Sequence, residues 1–148
     1  MKTDLTVAGY VIFKNKILLI HHRKLNLWLP VGGHIDKNET PDKALIREIK
    51  EETNISIKIL NKSTIPLEGN VKTNLAIPFH VNVHSVGDHD HVGFFYLCEA
   101  INPEKLKINQ ELKNYAWFTK KDLNQKHISI DVKNQAFKAF KLYEQVSK

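Results

Sequence analysis

At 148 residues, with 42% hydrophobic and 26% charged side chains, the chain has the size and composition of one globular domain with a single real core. The net charge of +6 favours anionic ligands such as nucleotides or RNA, but the seven lysines between positions 120 and 148 are interspersed rather than blocked and read as the solvated side of a terminal helix. The single cysteine, Cys98, excludes an internal disulfide or a multi-cysteine zinc site, and its apolar neighbours mark it as a buried, inert thiol. Lys14 and Lys16 interrupt the only apolar stretch near the N-terminus, so neither a signal peptide nor a membrane span is expected, and a cytoplasmic location is.

Residues 5–13 and 16–21 read as two strands around a short turn at Lys14-Asn15. Their apolar runs are continuous rather than alternating, which predicts central strands covered on both faces. Residues 26–33 carry Pro30, Gly32 and Gly33 and are expected to form a loop. A helix follows, with Thr40 as N-cap, Pro41 at the first helical position, Asp42 in the first turn and Asn54 as a left-handed end. Residues 55–60 alternate as a strand; 61–74 are a polar loop with room for a short strand near Ile65-Leu67. In 77–86, Phe79, Val81 and Val83 alternate with His80, Asn82 and His84, the pattern of a half-exposed strand with its apolar side inward. Strands at 92–100 and 115–118 come next, and a last helix capped by Asp131 puts Val132, Ala136, Phe140 and Tyr143 on one stripe. The order of elements predicts an α/β sandwich of one domain.

The chemistry concentrates in the mid-chain helix. At about 100° per residue, Glu48, Glu51 and Glu52 share an arc of about 100°, and Leu45, Ile49 and Ile46 form the buried stripe beside it. Lys43 and Lys50 fall on the solvent side. Like charges at this spacing repel by roughly 0.2–0.5 kcal/mol per pair, more where the dielectric falls, and a divalent cation removes the repulsion. An all-oxygen set suits Mg²⁺ or Mn²⁺, whose shell is completed by water and substrate phosphates. Gly32-Gly33 lets the backbone come close to that cluster and offer a carbonyl. Cation, phosphate and water together point to metal-assisted hydrolysis of a phosphoanhydride, against the alternative of a plain solvated helix face.

Gly33, Glu39 and the run Arg47-Glu48-Ile49-Lys50-Glu51-Glu52-Thr53-Asn54-Ile55 resemble the Nudix box, G-x5-E-x7-R-E-U-x-E-E-x-G-U, where U is a bulky aliphatic residue. Eight of the nine specified positions agree, and Asn54 stands in place of the glycine. The strand-turn-strand before the box, the Trp28-Leu29-Pro30 lead-in and Trp117-Phe118 extend the resemblance over most of the chain. Resemblance to the MutT-like Nudix hydrolases implies an α/β/α sandwich with a mixed β-sheet. It implies metal ligands at Glu48, Glu51 and Glu52 with the Gly32 carbonyl, and Mg²⁺ (or Mn²⁺) as cofactor. It further implies that Arg47 and Glu39 hold the carboxylates in place, that one of the three glutamates deprotonates the attacking water, and that a later glutamate contributes, for which Glu111 is the match. The reaction would be attack of water on a phosphorus of a nucleoside diphosphate linked to a group X.

Substrate contacts are expected from Arg23, between His22 and Lys24, from His34 and His80, and from Trp28, which can stack on a base or simply pack. His89-Asp90-His91 invites a metal reading, yet the spacing fits no zinc signature. Family members often carry H-x-H-x-D there, and Gly93 occupies the place of that aspartate. The tags of ADP-ribose, dinucleoside polyphosphate and coenzyme A enzymes are missing: Gly69-Asn70-Val71 and Lys72-Thr73 stand where a proline or a tyrosine would. A small nucleotide remains, with a nucleoside triphosphate favoured. The protein is expected to act as a monomer or homodimer, without a nucleic-acid partner. The competing readings are a non-catalytic nucleotide or RNA sensor on the same fold and an RNA decapping enzyme.

Overall fold

In the computed structural model, which describes residues 2–124 and 127–146, one mixed sheet is covered by a helix on each face. Of the lysines in the terminal segment, Lys126 and Lys148 lie outside the described residues. The sheet's eight strands are β1 (Thr3–Phe13), β2 (Lys16–His22), β3 (Leu27–Leu29), β4 (Val31–His34), β5 (Ile57–Ile59), β6 (His80–Ser85), β7 (Asp90–Ala100) and β8 (Leu112–Phe118). Their order runs β3-β2-β1-β7-β5, with β4 paired to β1, β6 to β7 and β8 to β2. Only β1 and β7 run parallel among the paired strands described, which makes the sheet mixed.

The continuous apolar runs of β1 and β2 are central, as expected, because both faces of each are roofed. Lys14 and Asn15 join them through two positive φ angles, 49° and 62°, as a two-residue hairpin between right-twisting strands requires. On one face, Val7, Val11, Leu18 and Tyr96 pack under α1 (Pro41–Thr53) through Ala44, Leu45 and Ile49. On the other, Tyr10, Ile12, Ile17, Leu19 and Leu97 pack under α2 (Ile130–Val146) through Val132, Ala136, Ala139 and Phe140. Each fully buried Leu or Ile contributes roughly 1.5–3 kcal/mol.

Five expectations need correction. Residues 26–33 are not a plain loop, because β3 pairs with β2 and β4 with β1. The strand at Ile57–Ile59 is shorter than 55–60, and Ile65-Leu67 forms none; Lys62 bridges Ala76 instead. In β6 the inward side is reversed: Val81 and Val83 are 47% and 65% exposed, while Asn82 and His84 are half-buried. Among the described residues β6 is bonded only to β7 and no helix covers its valines, so alternation there does not mark a core face. Asp131 lies inside the first turn of α2, one residue past its start, rather than capping it. No helix among the described residues is long and apolar enough to cross a membrane.

Candidate active site

α1 begins as its caps dictate. Thr40 Oγ1 accepts from the Lys43 amide at 3.3 Å, Pro41 opens the helix, and Asn54 closes it at φ 63°, its amide donating to Lys50 O at 2.9 Å. Leu45 and Ile49 are fully buried, as expected of the apolar stripe, but Ile46 is 48% exposed. The stripe is centred between Leu45 and Glu52, so Ile46 falls past its edge, while Ala44 and Thr53 take buried places instead. This rotation carries Glu52 into the protein: it is 5% exposed, Glu48 is half-buried and Glu51 is mostly in solvent.

The two glycines complete the arrangement. A Cβ on Gly32 would collide with the Val7 carbonyl, so that position requires glycine, and one on Gly33 would push the Glu48 carboxylate out of its place. The Ile35 amide donates to Leu5 O at 3.0 Å, which sets the phase of the β1–β4 ladder. By that phase the bonded pairs include Gly33 with Val7, while Gly32, opposite Ala8, turns its amide and carbonyl away from β1. The Gly32 amide accordingly donates to Glu52 Oε1 at 3.3 Å. Its carbonyl points toward the same side as the carboxylates.

Arg47 ties the cluster to the loop before the helix. Its guanidinium grips Glu39 with two bonds, Nε to Oε2 at 2.7 Å and Nη2 to Oε1 at 2.9 Å. It also reaches Glu48 Oε1 at 3.0 Å, Glu51 Oε2 at 3.4 Å and the His34 carbonyl at 3.0 Å. The Arg47 bonds, with the Asp36 amide, pull the Glu39 carboxyl down to about 2. Glu52 moves the other way, to about 8, first because burial disfavours its charge and next because Glu48 lies beside it. Burial likewise raises Glu48 against the pull of Arg47.

Glu111 belongs to this field, because its charge pushes both Glu48 and Glu52 upward. The loop that carries it is strapped to the C-terminal end of α1. The Lys107 and Asn109 amides donate to Thr53 O and Glu52 O at 2.9 and 3.0 Å, and Asn109 Nδ2 donates to Glu51 O at 3.2 Å. Asn109 Oδ1 accepts from the Glu111 amide at 3.0 Å. The sequence signal for Asn109 was slight: a short polar side chain two residues before the glutamate, able to bond backbone in both directions. Arg23 holds the same loop from outside, donating to Gln110 O at 3.2 Å and Leu112 O at 3.4 Å.

The structure therefore gathers Gly32, Gly33, Glu39, Arg47, Glu48, Glu51, Glu52 and Glu111, with Arg23 at the margin. Three expected substrate residues lie across the sheet. Trp28 packs over the α2-side core, 5.2 Å ring to ring from Phe118. His34, one residue after Gly33, points to the opposite face from α1. His80 lines a cleft of about 360 Å³ between β6 and α2, with Asn82, Gln135 and Lys138. Cys98 is buried beneath α1, and burial pushes its thiol well up, which leaves it inert.

Comparison with known proteins agrees with this geometry. The family model of the NUDIX domain matches residues 2–140, and the chain belongs to that family, the family of the Nudix hydrolases. A NUDIX-family hydrolase from Clostridium perfringens superposes with a TM-score of 0.81 at 31% identity, over 96% of this chain and 99% of that one. A MutT NUDIX hydrolase from Burkholderia pseudomallei superposes at 0.69 with 18% identity, over 95% and 98%, and shares the fold. The nucleoside triphosphatase NudI of Escherichia coli O139:H28 is 27% identical over 99 residues, 65% of this chain. The match spans 64% of that relative's length.

Proposed function

We propose that the protein hydrolyses the pyrophosphate linkage of a nucleoside di- or triphosphate derivative with the help of Mg²⁺ or Mn²⁺, and that a nucleoside triphosphate is the favoured substrate. The observation that carries this reading is the set of three carboxylates, Glu52 buried, Glu48 half-buried and Glu51 exposed, beside a glycine pair in β4 where a side chain would collide with its surroundings. The donors are all oxygen, burial raises the proton affinity of both Glu48 and Glu52, and the neighbouring carboxylates raise it further, so the cluster suits a hard divalent cation. Glu48, Glu51 and Glu52, with the Gly32 carbonyl, would hold it. When bound, such a cation supplies charge to phosphate oxygens and acidifies water.

The chain's own residues do the rest. Arg47 and Glu39 fix the direction of Glu48 and Glu51, and the Gly32 amide fixes one oxygen of Glu52. One of Glu48, Glu51 and Glu52 accepts the proton of the attacking water, and the strapped loop carries Glu111 beside them. The name borne by the NudI relatives supports the triphosphate preference. Soluble nucleotides fit a cytoplasmic setting.

A nucleotide panel with Mg²⁺ and with Mn²⁺, with both products identified, tests the reading and shows which phosphorus is attacked. Glu52→Gln is expected to lower kcat by about 10²–10⁴-fold with the far-UV spectrum intact. Unchanged turnover in that variant overturns the role of Glu52, and no hydrolysis anywhere in the panel overturns the enzymatic reading and leaves a nucleotide-binding protein.

A further inference from the structure

Four side chains that the active site does not use converge on the opposite face of the sheet. Asp4 of β1 is the register partner of His91 of β7, and Thr6 is the partner of His34 of β4, so adjacent strands bring three of the four together. His89 joins from the end of the turn that leads into β7; its carbonyl accepts from the Val86 amide at 3.0 Å. One nitrogen or oxygen from each residue lies within 4.8 Å of every other. Asp4 Oδ2 is 3.3 Å from His34 Nε2 and 3.4 Å from His89 Nε2, and His89 Nε2 is 3.2 Å from His91 Nε2.

We propose that Asp4, His34, His89 and His91 bind a divalent transition-metal ion of the Zn²⁺ type, at a site separate from the carboxylates of α1. The edge of a tetrahedron with metal–ligand bonds of about 2.0–2.1 Å is roughly 3.3–3.4 Å, and three of the six pairs, at 3.2, 3.3 and 3.4 Å, stand close to that spacing. Three imidazoles and one carboxylate select Zn²⁺, Cu²⁺ or Ni²⁺ over Mg²⁺, which avoids nitrogen donors. The outer contacts fit as well. Asp88 Oδ1 meets His89 Nδ1 at 2.7 Å, a carboxylate-histidine pair that leaves Nε2 as the ligand atom. Lys2 lies 3.7 Å from the other oxygen of Asp4, Oδ1, and does not compete for Oδ2. His84, the register partner of His91, stands edge-on to it with ring centres 5.4 Å apart and closes that side.

The ion would staple the start of β1 to the end of β4 and to the β6–β7 hairpin. His34 follows directly on Gly33, and its carbonyl accepts from Arg47, so the staple braces the strand that presents the glycines to Glu48 and Glu52.

Tag-free full-length chain, stripped with a chelator and dialysed against buffered Zn²⁺, is expected to retain one ion per chain by elemental analysis. With Co²⁺ alone it should give the intense visible bands of four-coordinate cobalt. Glu52→Gln should bind equally well, which separates this site from the hydrolytic one. Asp88→Asn should weaken affinity about 10–100-fold, and His91→Ala more than that. Zn²⁺ at a hundred times its Kd should shift the unfolding equilibrium of the wild type about 100-fold, and that of His91→Ala hardly at all. Should His91→Ala fail to fold, His34→Ala serves, since His34 lies at the exposed end of β4 with its side chain 57% accessible. Retention of less than one ion, the pale spectrum of six-coordinate cobalt, loss of binding in Glu52→Gln, or undiminished binding in His34→Ala and His91→Ala each overturns the proposal.

Discussion

A glycine would satisfy the backbone at the end of α1, yet position 54 holds an asparagine that adds a contact no glycine can make. Its φ of 63° is the left-handed conformation the helix end demands, and its Nδ2 donates to Lys105 O at 3.1 Å. The residue thus closes the helix and ties down the loop that carries Glu111. Asn54→Gly keeps the conformation and loses only an exposed hydrogen bond, so it should cost about 0.5–1.5 kcal/mol. Asn54→Ala loses the bond and adds roughly 1–2 kcal/mol of left-handed strain. Urea unfolding should therefore order the midpoints wild type, Gly, Ala. An alanine variant as stable as the glycine variant would show that strain at this position is relieved elsewhere.

At the scale of elements, the strap across residues 105–111 connects stability with chemistry, and Asn109 is its centre. Through one amide group it donates to Glu51 O and accepts from the Glu111 amide, fixing the loop glutamate relative to the helix glutamates. Asn109→Ala cuts both bonds, while Asn109→Asp keeps the acceptor and loses the donor. Catalytic geometry tolerates displacement poorly, and a shift near 1 Å costs up to about 10²-fold. Steady-state kinetics should show kcat lowered most in Ala and less in Asp, with KM nearly constant; equal kcat in all three proteins would remove Glu111 from the reaction. This element also shows where sequence reading stops. Thr40, Pro41 and Asn54 are local signals, so α1 and its carboxylates were legible from spacing. The strap is a set of bonds between segments more than fifty positions apart, as in the backbone bond from the Asn109 amide to Glu52 O, and no local pattern encodes it. β4 was hidden for another reason: glycines that read as a loop are here strand residues, kept small by Glu48 and Val7. The Asp4, His34, His89 and His91 cluster was scattered across three stretches and became visible only through strand register.

Across the whole molecule the sheet separates two tasks. The α1 face carries the carboxylates, and the α2 face under Phe140 and Val132 carries much of the remaining core. One buried polar contact reaches across that second layer: Tyr10, fully buried on β1, donates to Gln135 Oε1 of α2 at 2.5 Å. Gln135 is itself only 7% exposed, so its oxygen depends on this donor. Tyr10→Phe preserves the ring that packs 5.8 Å from Phe79 but leaves the Gln135 oxygen without a proton to accept. Leaving such a group unsatisfied costs about 1–3 kcal/mol, which should appear as a lower denaturant midpoint with an unchanged slope. Because Tyr10 faces away from Glu48 and Glu52, kcat should stay within about twofold under conditions where the variant is folded, since removing this bond displaces no group in the site. A fall in kcat without loss of folded protein would show that packing beneath α2 sets the position of the carboxylates beneath α1, and that the sheet transmits strain between its faces rather than insulating them.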